Sequence, residues 1–307
     1  MASTQDLKRR VRSITNTRKL TRAMELVASA RLRRSQMRIE AMRPYADRMM
    51  ELMAGTANAA GATRLPLLQG RETIRAVGIV PVAGDRGLAG GFNAAVLRRS
   101  FVLMREAEAA GQSVRFFTVG RKAQSTVRFR RFDLAQAWTG FSDKPAYSDA
   151  QAIAHSVAEA YVNEEVDRVV LVYNAFVSPL VQNVTVSPLL PISTAALAGD
   201  RGVGSERAGE GEAVPPEGSQ HLDFFFEPEP RQILERLLPV YVETELYRAL
   251  LESAASEQGA RMTAMRNASK AAGELIDSLT LAMNRARQAE ITQEILEVVA
   301  GADALTQ

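Results

Sequence analysis

The sequence predicts an α/β protein whose two ends pair as one long antiparallel coiled coil around an open α/β layer. Three observations predict it. Both ends carry matching three-four apolar spacing, the middle alternates strand-like and helix-like stretches, and a polar stretch near residue 200 holds almost no large apolar side chain. At the N-terminal end the steps run Leu7, Val11, Ile14, Arg18, Thr21, Glu25, Ala28, Leu32, Ser35, Ile39, Met42, Ala46, Met49, Met53. At the other end they run Leu251, Ala254, Gln258, Arg261, Met265, Ala268, Ala272, Leu275, Leu279, Ala282, Ala286, Ala289, Gln293, Leu296, Ala300. Such spacing makes an apolar seam that supercoils left-handedly. At about 1.5 Å per residue each helix is roughly 80–90 Å long.

Ser3 and Asp6 form a capping box that opens the first helix. The helix fades near Gly55 to Gly61. Ile74 to Val82 is a short buried strand, followed by a Gly-rich turn and a helix from about Asn93 to Ala110. Val114 to Val119 is a second strand that ends at Gly120. A helix follows from Ser148 to Glu165, with Ser148 as its cap, and Asp167 to Tyr173 and Asn183 to Val186 complete the strands. Alternation of this kind predicts a layer of mainly parallel strands. Ala195 to Gln220, rich in Gly, Ala, Glu and Pro, is expected to be a disordered or surface excursion. Phe224 to Phe226 is expected to anchor the chain to the middle domain.

Pro239 suits the first turn of the last helix, which then runs from Val240 to about Ala300 without a stop. The resulting division is 1–58 for the first helix, 70–194 for the α/β domain, 195–227 for the insert and 228–307 for the last helix. Gly259 and Gly273 each cost that helix about 1 kcal/mol relative to Ala. Gly273, beside Ala268 and Ala272, serves close backbone approach. The Ala-rich seam gives a slim, stiff rod. Its polar members Arg18, Glu25, Gln258 and Arg261 weaken packing but fix register; Arg18 and Glu25 either pair across the seam or are solvated at a local bend.

Composition narrows the chemistry. The chain has 307 residues, 46% hydrophobic and 24% charged, as expected of a folded soluble protein. Cysteine is absent, which removes disulfides, thiolate metal sites and thiol redox control. His155 and His221 are the two imidazoles, too far apart in sequence for a histidine-rich metal site. No apolar run is long enough to cross a bilayer. The net charge of +3 conceals an asymmetry, because residues 1–53 hold thirteen Lys or Arg against five Asp or Glu. Lys8, Arg9 and Arg10 belong to that basic helix, which is either a solvated face or the counterpart of an acidic partner.

Gly84-Asp85-Arg86-Gly87-Leu88-Ala89-Gly90-Gly91 lies between a strand and a helix, where a Gly-rich turn can cradle phosphate. The dinucleotide fingerprint requires Gly where Arg86 stands, and no Gly-Lys-Ser/Thr follows for a P-loop. The reading is a structural turn through Gly84, Gly87, Gly90 and Gly91, tied together by Asp85 and Arg86. No catalytic triad, metal-spaced cluster or paired buried carboxylates stand out, so neither a catalytic residue nor a cofactor is expected. Glu164, Glu165, Glu227 and Glu229 read as solvated surface.

Three stretches carry a resemblance. Thr15 to Ala28 (TNTRKLTRAMELVA), the Asp85 to Gly91 turn (DRGLAGG) and Asn284 to Glu294 (NRARQAEITQE) closely resemble the gamma subunit of F-type ATP synthases, in the same order and across nearly the whole chain. The resemblance implies a central rotor shaft inside a ring of three α and three β subunits. It implies a Rossmann-like domain near the base, resting on the membrane c ring and touching the epsilon subunit. It places the chain peripherally on the cytoplasmic face of a bacterial plasma membrane, with catalysis in the β subunits. It further implies that Arg287 and Gln288 engage a loop of β with Thr292 nearby. Met24 would sit in a coupling-sensitive contact, Arg261 in the same network, and Lys8, Arg9 and Arg10 against acidic loops of β. Without the resemblance, Met24 and Thr292 read as packing and Arg261 as seam polarity. The Ala195 to Gln220 excursion is longer than in the shortest family members. Photosynthetic gamma subunits carry a regulatory insert in this part of the fold, in chloroplasts often with a cysteine pair; thiol control is excluded here.

Two other function classes compete with the rotor. A basic helix feeding a coiled coil can bind duplex DNA, which steep salt dependence would reveal. An α/β domain can bind nucleotide, which calorimetry with ATP and nicotinamide dinucleotides would reveal. Neither nucleic acid nor direct membrane insertion is expected.

Overall fold

The computed structural model describes residues 4–60, 65–192 and 229–306. Ser3 of the expected capping box, the Ala195 to Gln220 excursion, His221, Phe224 to Phe226 and Glu227 lie outside the described residues. The chain divides into two compact units, Met1–Ala30 with Arg261–Gln307, and Arg31–Ala260.

The elements, in order, are α1 (Thr4–Ala60), β1 (Ala76–Pro81), α2 (Phe92–Ala109), β2 (Ser113–Val119), α3 (Arg121–Phe129), β3 (Leu134–Trp138), α4 (Tyr147–Val162), β4 (Arg168–Phe176), β5 (Gln182–Leu190) and α5 (Pro230–Thr306). Five strands form one sheet in the order β3-β2-β1-β4-β5. β3, β2, β1 and β4 are mutually parallel, and β5 returns antiparallel to β4. The crossovers between parallel strands are helical, as parallel pairing requires.

Both faces of the sheet are covered, so the central strands read as continuous apolar runs rather than alternating ones. Val77 and Ile79 of β1, Phe116 of β2, and Val170 and Val172 of β4 pack with Val96 and Met104 of α2 and Val127 of α3. Phe101, Phe116 and Phe132 cluster there with centroids 5.4–6.2 Å apart, Phe116 stacked on Phe132 and Phe101 edge-on to Phe116. The alternate residues, Val80, Val82, Phe117, Val119, Val169 and Leu171, face the other way. They meet Ile153 and Val157 of α4, Met49 and Met53 of α1, and Leu234, Leu238 and Leu246 of α5. The α/β domain therefore uses parts of both long helices as its second layer.

At the start of β4, Asp167 receives the backbone N–H groups of Arg75 at 2.7 Å and Ala76 at 2.9 Å and pairs with Arg71. Arg71 also donates to the Tyr161 carbonyl at 2.6 Å. Burial pushes the Asp167 carboxyl up, but these donors outweigh it and hold it below the ordinary value.

The structure corrects several expectations. α4 starts at Tyr147 after Ala146, not at a Ser148 cap, because the Asp149 carboxylate accepts the Ala146 N–H at 2.8 Å. It ends at Val162, short of Glu165. Pro230, not Pro239, occupies the first position of α5, and Pro239 lies inside the helix. α3 and β3 were not expected at all: their nine and five residues are short, and β3 is only half-buried.

In the first unit, the N-terminal part of α1 runs antiparallel to the end of α5. Thr4 Oγ1 donates to the Glu290 carboxylate at 2.6 Å, and Glu25 meets Arg266. The expected α1 seam holds throughout except at Arg18, which is exposed. On α5 it holds through Ala272 and then slips. Leu275 is 48% exposed and Ala282 is exposed, whereas the expected Leu279 and Ala286 stay partly covered beside Ile276, Thr280 and Met283. Gly273 does not serve backbone approach: the nearest group to where its Cβ would be is the Arg18 guanidinium, with Cζ at an ordinary contact distance of 3.5 Å.

Candidate partner-contact surface

Glu25 is a buried carboxylate in a helix seam, and its position is set by two arginines. Arg22, one turn earlier on α1, reaches its Oε2 at 2.9 Å, and Arg266 Nε of α5 reaches its Oε1 at 3.0 Å. The Arg266 hydrogen bond is the largest influence on its acidity, and with Arg22 it outweighs burial and holds the carboxyl below the ordinary value. The seam alternative of pairing is therefore the one realised at Glu25. Met24 beside it is half-buried, and Arg261 is buried at the start of the α5 segment. Lys8, Arg9 and Arg10 are exposed on α1.

Arg287, Gln288 and Thr292 are exposed on α5, where Thr292 Oγ1 donates to the Gln288 carbonyl at 2.9 Å. Beyond Ala286 every side chain described on the helix is exposed. That stretch includes Ile291, Ile295, Leu296, Val298 and Val299, each 48–71% exposed. Ile291, Ile295 and Val298 recur at intervals of four and three and so share one helix face. Sequence reading placed Leu296 in the intramolecular seam and did not mark this apolar end. The signal was present: the three-four stepping of α5 continues past Glu290, the residue that meets Thr4 at the start of the described part of α1.

The Gly-rich turn follows β1. The Asp85 carboxylate accepts N–H groups from Arg121 at 2.9 Å, Gly140 at 2.9 Å and Ser142 at 3.1 Å, and the Asp85 N–H donates to Ser142 Oγ at 2.9 Å. Burial raises its pKa, and the three backbone donors overcome that and lower it. Asn93 Oδ1 accepts the Gly84 N–H at 2.7 Å, and its Nδ2 donates to the Arg86 carbonyl at 3.3 Å. A Cβ on Gly84 would sit 2.8 Å from the Glu257 carboxylate. Gly120 has φ +90°, and a Cβ there would lie 2.0 Å from the Ala83 carbonyl oxygen, so only Gly fits. Gly87, Gly90 and Gly91 complete the turn. In an open parallel sheet this carboxyl edge is where ligands bind. Here the Asp85 carboxylate already engages the first N–H of α3. Among the described residues there is no group of three or more His, Asp or Glu able to hold a metal, and no helix long and apolar enough to cross a membrane.

The ATP synthase family profile matches residues 3–305. The chain belongs to the ATP synthase gamma-chain family. The ATP synthase gamma chain of Rubrobacter xylanophilus is 46% identical over 305 residues, with 99% of each chain covered. That of Nostoc sp. is 43% identical over 316 residues, with both chains covered in full. Among solved structures, a chain of the Tetrahymena thermophila mitochondrial ATP synthase central stalk and c ring has a TM-score of 0.57 and 26% identity. The match covers 81% of this chain and 99% of that one. A chain of the Euglena gracilis mitochondrial ATP synthase has the same fold, with a TM-score of 0.66 at 17% identity, covering 98% and 94%.

Proposed function

We propose that this chain is the central rotor shaft of an F-type ATP synthase. It transmits rotation between the membrane c ring and the catalytic ring of three α and three β subunits, coupling proton flow to ATP synthesis or hydrolysis. The observation that carries the reading is the bare apolar end of α5, where Ile291, Ile295, Leu296, Val298 and Val299 stand exposed on a helix with no covering partner among the described residues. A continuous apolar stretch of this kind is a surface for another subunit. The family relationship supplies the partner, a surrounding ring. Residues 1–58 and 228–307 form the shaft, 70–194 the foot, and 195–227 the insert and linker.

Arg287, Gln288 and Thr292 contact β near the apolar end, Met24 and Arg261 lie in the same coupling network, and Lys8, Arg9 and Arg10 face acidic β loops. Each orientation of an asymmetric shaft stabilises a different conformation in each surrounding subunit, which is how differential contact energy shifts populations. The chain itself carries no catalytic residue, and the chemistry belongs to β. The foot rests on the c ring and meets the epsilon subunit. The assembly sits on the cytoplasmic face of a bacterial plasma membrane, with this chain peripheral to it. Mixing the chain with purified α and β subunits, nucleotide and magnesium yields an ATPase with one copy of it per three α and three β. Failure to co-purify refutes the reading.

A further inference from the structure

Where the two long helices pass the sheet, one carboxylate holds both. Asp143, in the loop after β3, accepts from Arg31 Nη1 of α1 at 2.8 Å and from Gln258 Nε2 of α5 at 3.0 Å. Arg86 Nη1 of the Gly-rich turn stands 3.7 Å from the same carboxylate. The loop that carries Asp143 is itself fixed, because the Gly140 and Ser142 N–H groups donate to Asp85, which also receives the N–H of Arg121. Asp85 and Asp143 together tie α1 and α5 to the carboxyl ends of β1, β2 and β3.

Gln258 makes this tie at a cost. It is 1% exposed, and its Oε1 has no hydrogen-bond partner. An orphaned buried acceptor is destabilising, and an aliphatic side chain at that seam position would avoid the penalty. Apolar burial is non-directional, so a seam of Leu and Ala resists separation of helices better than it resists their turning or sliding. Charge-assisted hydrogen bonds fix geometry as well as distance. A polar tie retained where apolar packing would be more stable suits a part that resists rotation.

We infer that Asp143 is a torque-bearing junction of the chain, a directional tie that adds to the apolar packing of both long helices on the α/β domain. The inference deepens the rotor reading and rests on it. Its test uses the assembled complex with α and β. The chain has no cysteine, so Phe129→Cys, at a residue 87% exposed at the end of α3, provides a single attachment point for a gold rod. With the ring fixed to a surface and the motor stalled by nucleotide, the angular fluctuation of the rod reports the stiffness between foot and ring. Asp143→Ala widens the angular variance beyond that of the parent, because the hydrogen-bonded network loses its shared acceptor, while Asp143→Glu restores part of the stiffness. Bulk ATPase activity stays at the parent level, because hydrolysis by the ring does not load the foot. Equal variance in parent and Asp143→Ala overturns the inference. If Asp143→Ala fails to fold, Arg31→Met removes one arm of the tie from a side chain 43% exposed, and the same comparison decides. A parent complex that hydrolyses ATP without rotating its rod overturns the rotor reading instead.

Discussion

Arg266 Nε donates to Glu25 Oε1 at 3.0 Å, joining two helices through residues 241 positions apart. The carboxylate end of this pair is buried and its arginine partner is half open to solvent. Glu25→Gln removes the charge and weakens two hydrogen bonds, a loss of about 1–3 kcal/mol from typical charged hydrogen bonds. Urea unfolding of Glu25→Gln, Arg266→Met and the double variant checks it. Additive effects would mean that the two side chains do not interact.

Glycine positions separate sharply by what surrounds them. Gly273→Ala meets only the flexible Arg18 guanidinium at 3.5 Å and gains about 0.5–1 kcal/mol of helix propensity. Gly84→Ala drives a methyl into the buried Glu257 carboxylate at 2.8 Å and lowers the melting temperature. Differential scanning calorimetry of the two variants should move in opposite directions.

Glu25, Asp85 and Asp167 all have folded-state pKa values below their ordinary ones. A depressed carboxyl contributes stability above its unfolded value and loses it as pH falls through the folded one. The urea midpoint is therefore flat from neutral pH to about pH 5 and falls below about pH 4. Asp167→Asn flattens that acid limb and lowers the neutral plateau. An unchanged acid limb in this variant would show that its Arg71 and backbone partners do not set the titration.

Arg287→Ala with Gln288→Ala touches two exposed side chains, and surface changes of this sort stay within about 0.5 kcal/mol of the parent stability. Coupled ATP synthesis in reconstituted vesicles drops while the isolated chain melts at the parent temperature. Loss of assembly in equal measure would make the pair structural rather than coupling.

Ile295→Asp at the apolar end weakens co-purification with α and β without altering the fold of the free chain. Gel filtration and circular dichroism read the two effects separately. Parent-level assembly by this variant would remove the apolar end from the interface.

Much of this was legible in the residues. The α1 seam from Leu7 to Met53 could be read because three-four spacing survives wherever a helix faces one partner. The α5 seam slipped after Ala272 because Ala occurs on several faces there, so Ile276 and not Leu275 turned inward. β3 and α3 were missed since Leu134–Trp138 is brief and half-buried and α3 holds few large apolar residues. The Gly-rich turn was read as structural because Arg86 stands where the dinucleotide fingerprint needs Gly and no Gly-Lys-Ser/Thr follows. What could not be read was the reach of Asp85 to Gly140 and Ser142, which depends on loops that only the folded sheet brings together.

That reach has a cellular consequence. A motor component works in a compartment crowded with ATP, ADP and inorganic phosphate, and its sheet has the topology on which such molecules ordinarily settle. By supplying its own anion from Asp85, the domain spends the Arg121, Gly140 and Ser142 N–H groups on itself rather than on such a guest.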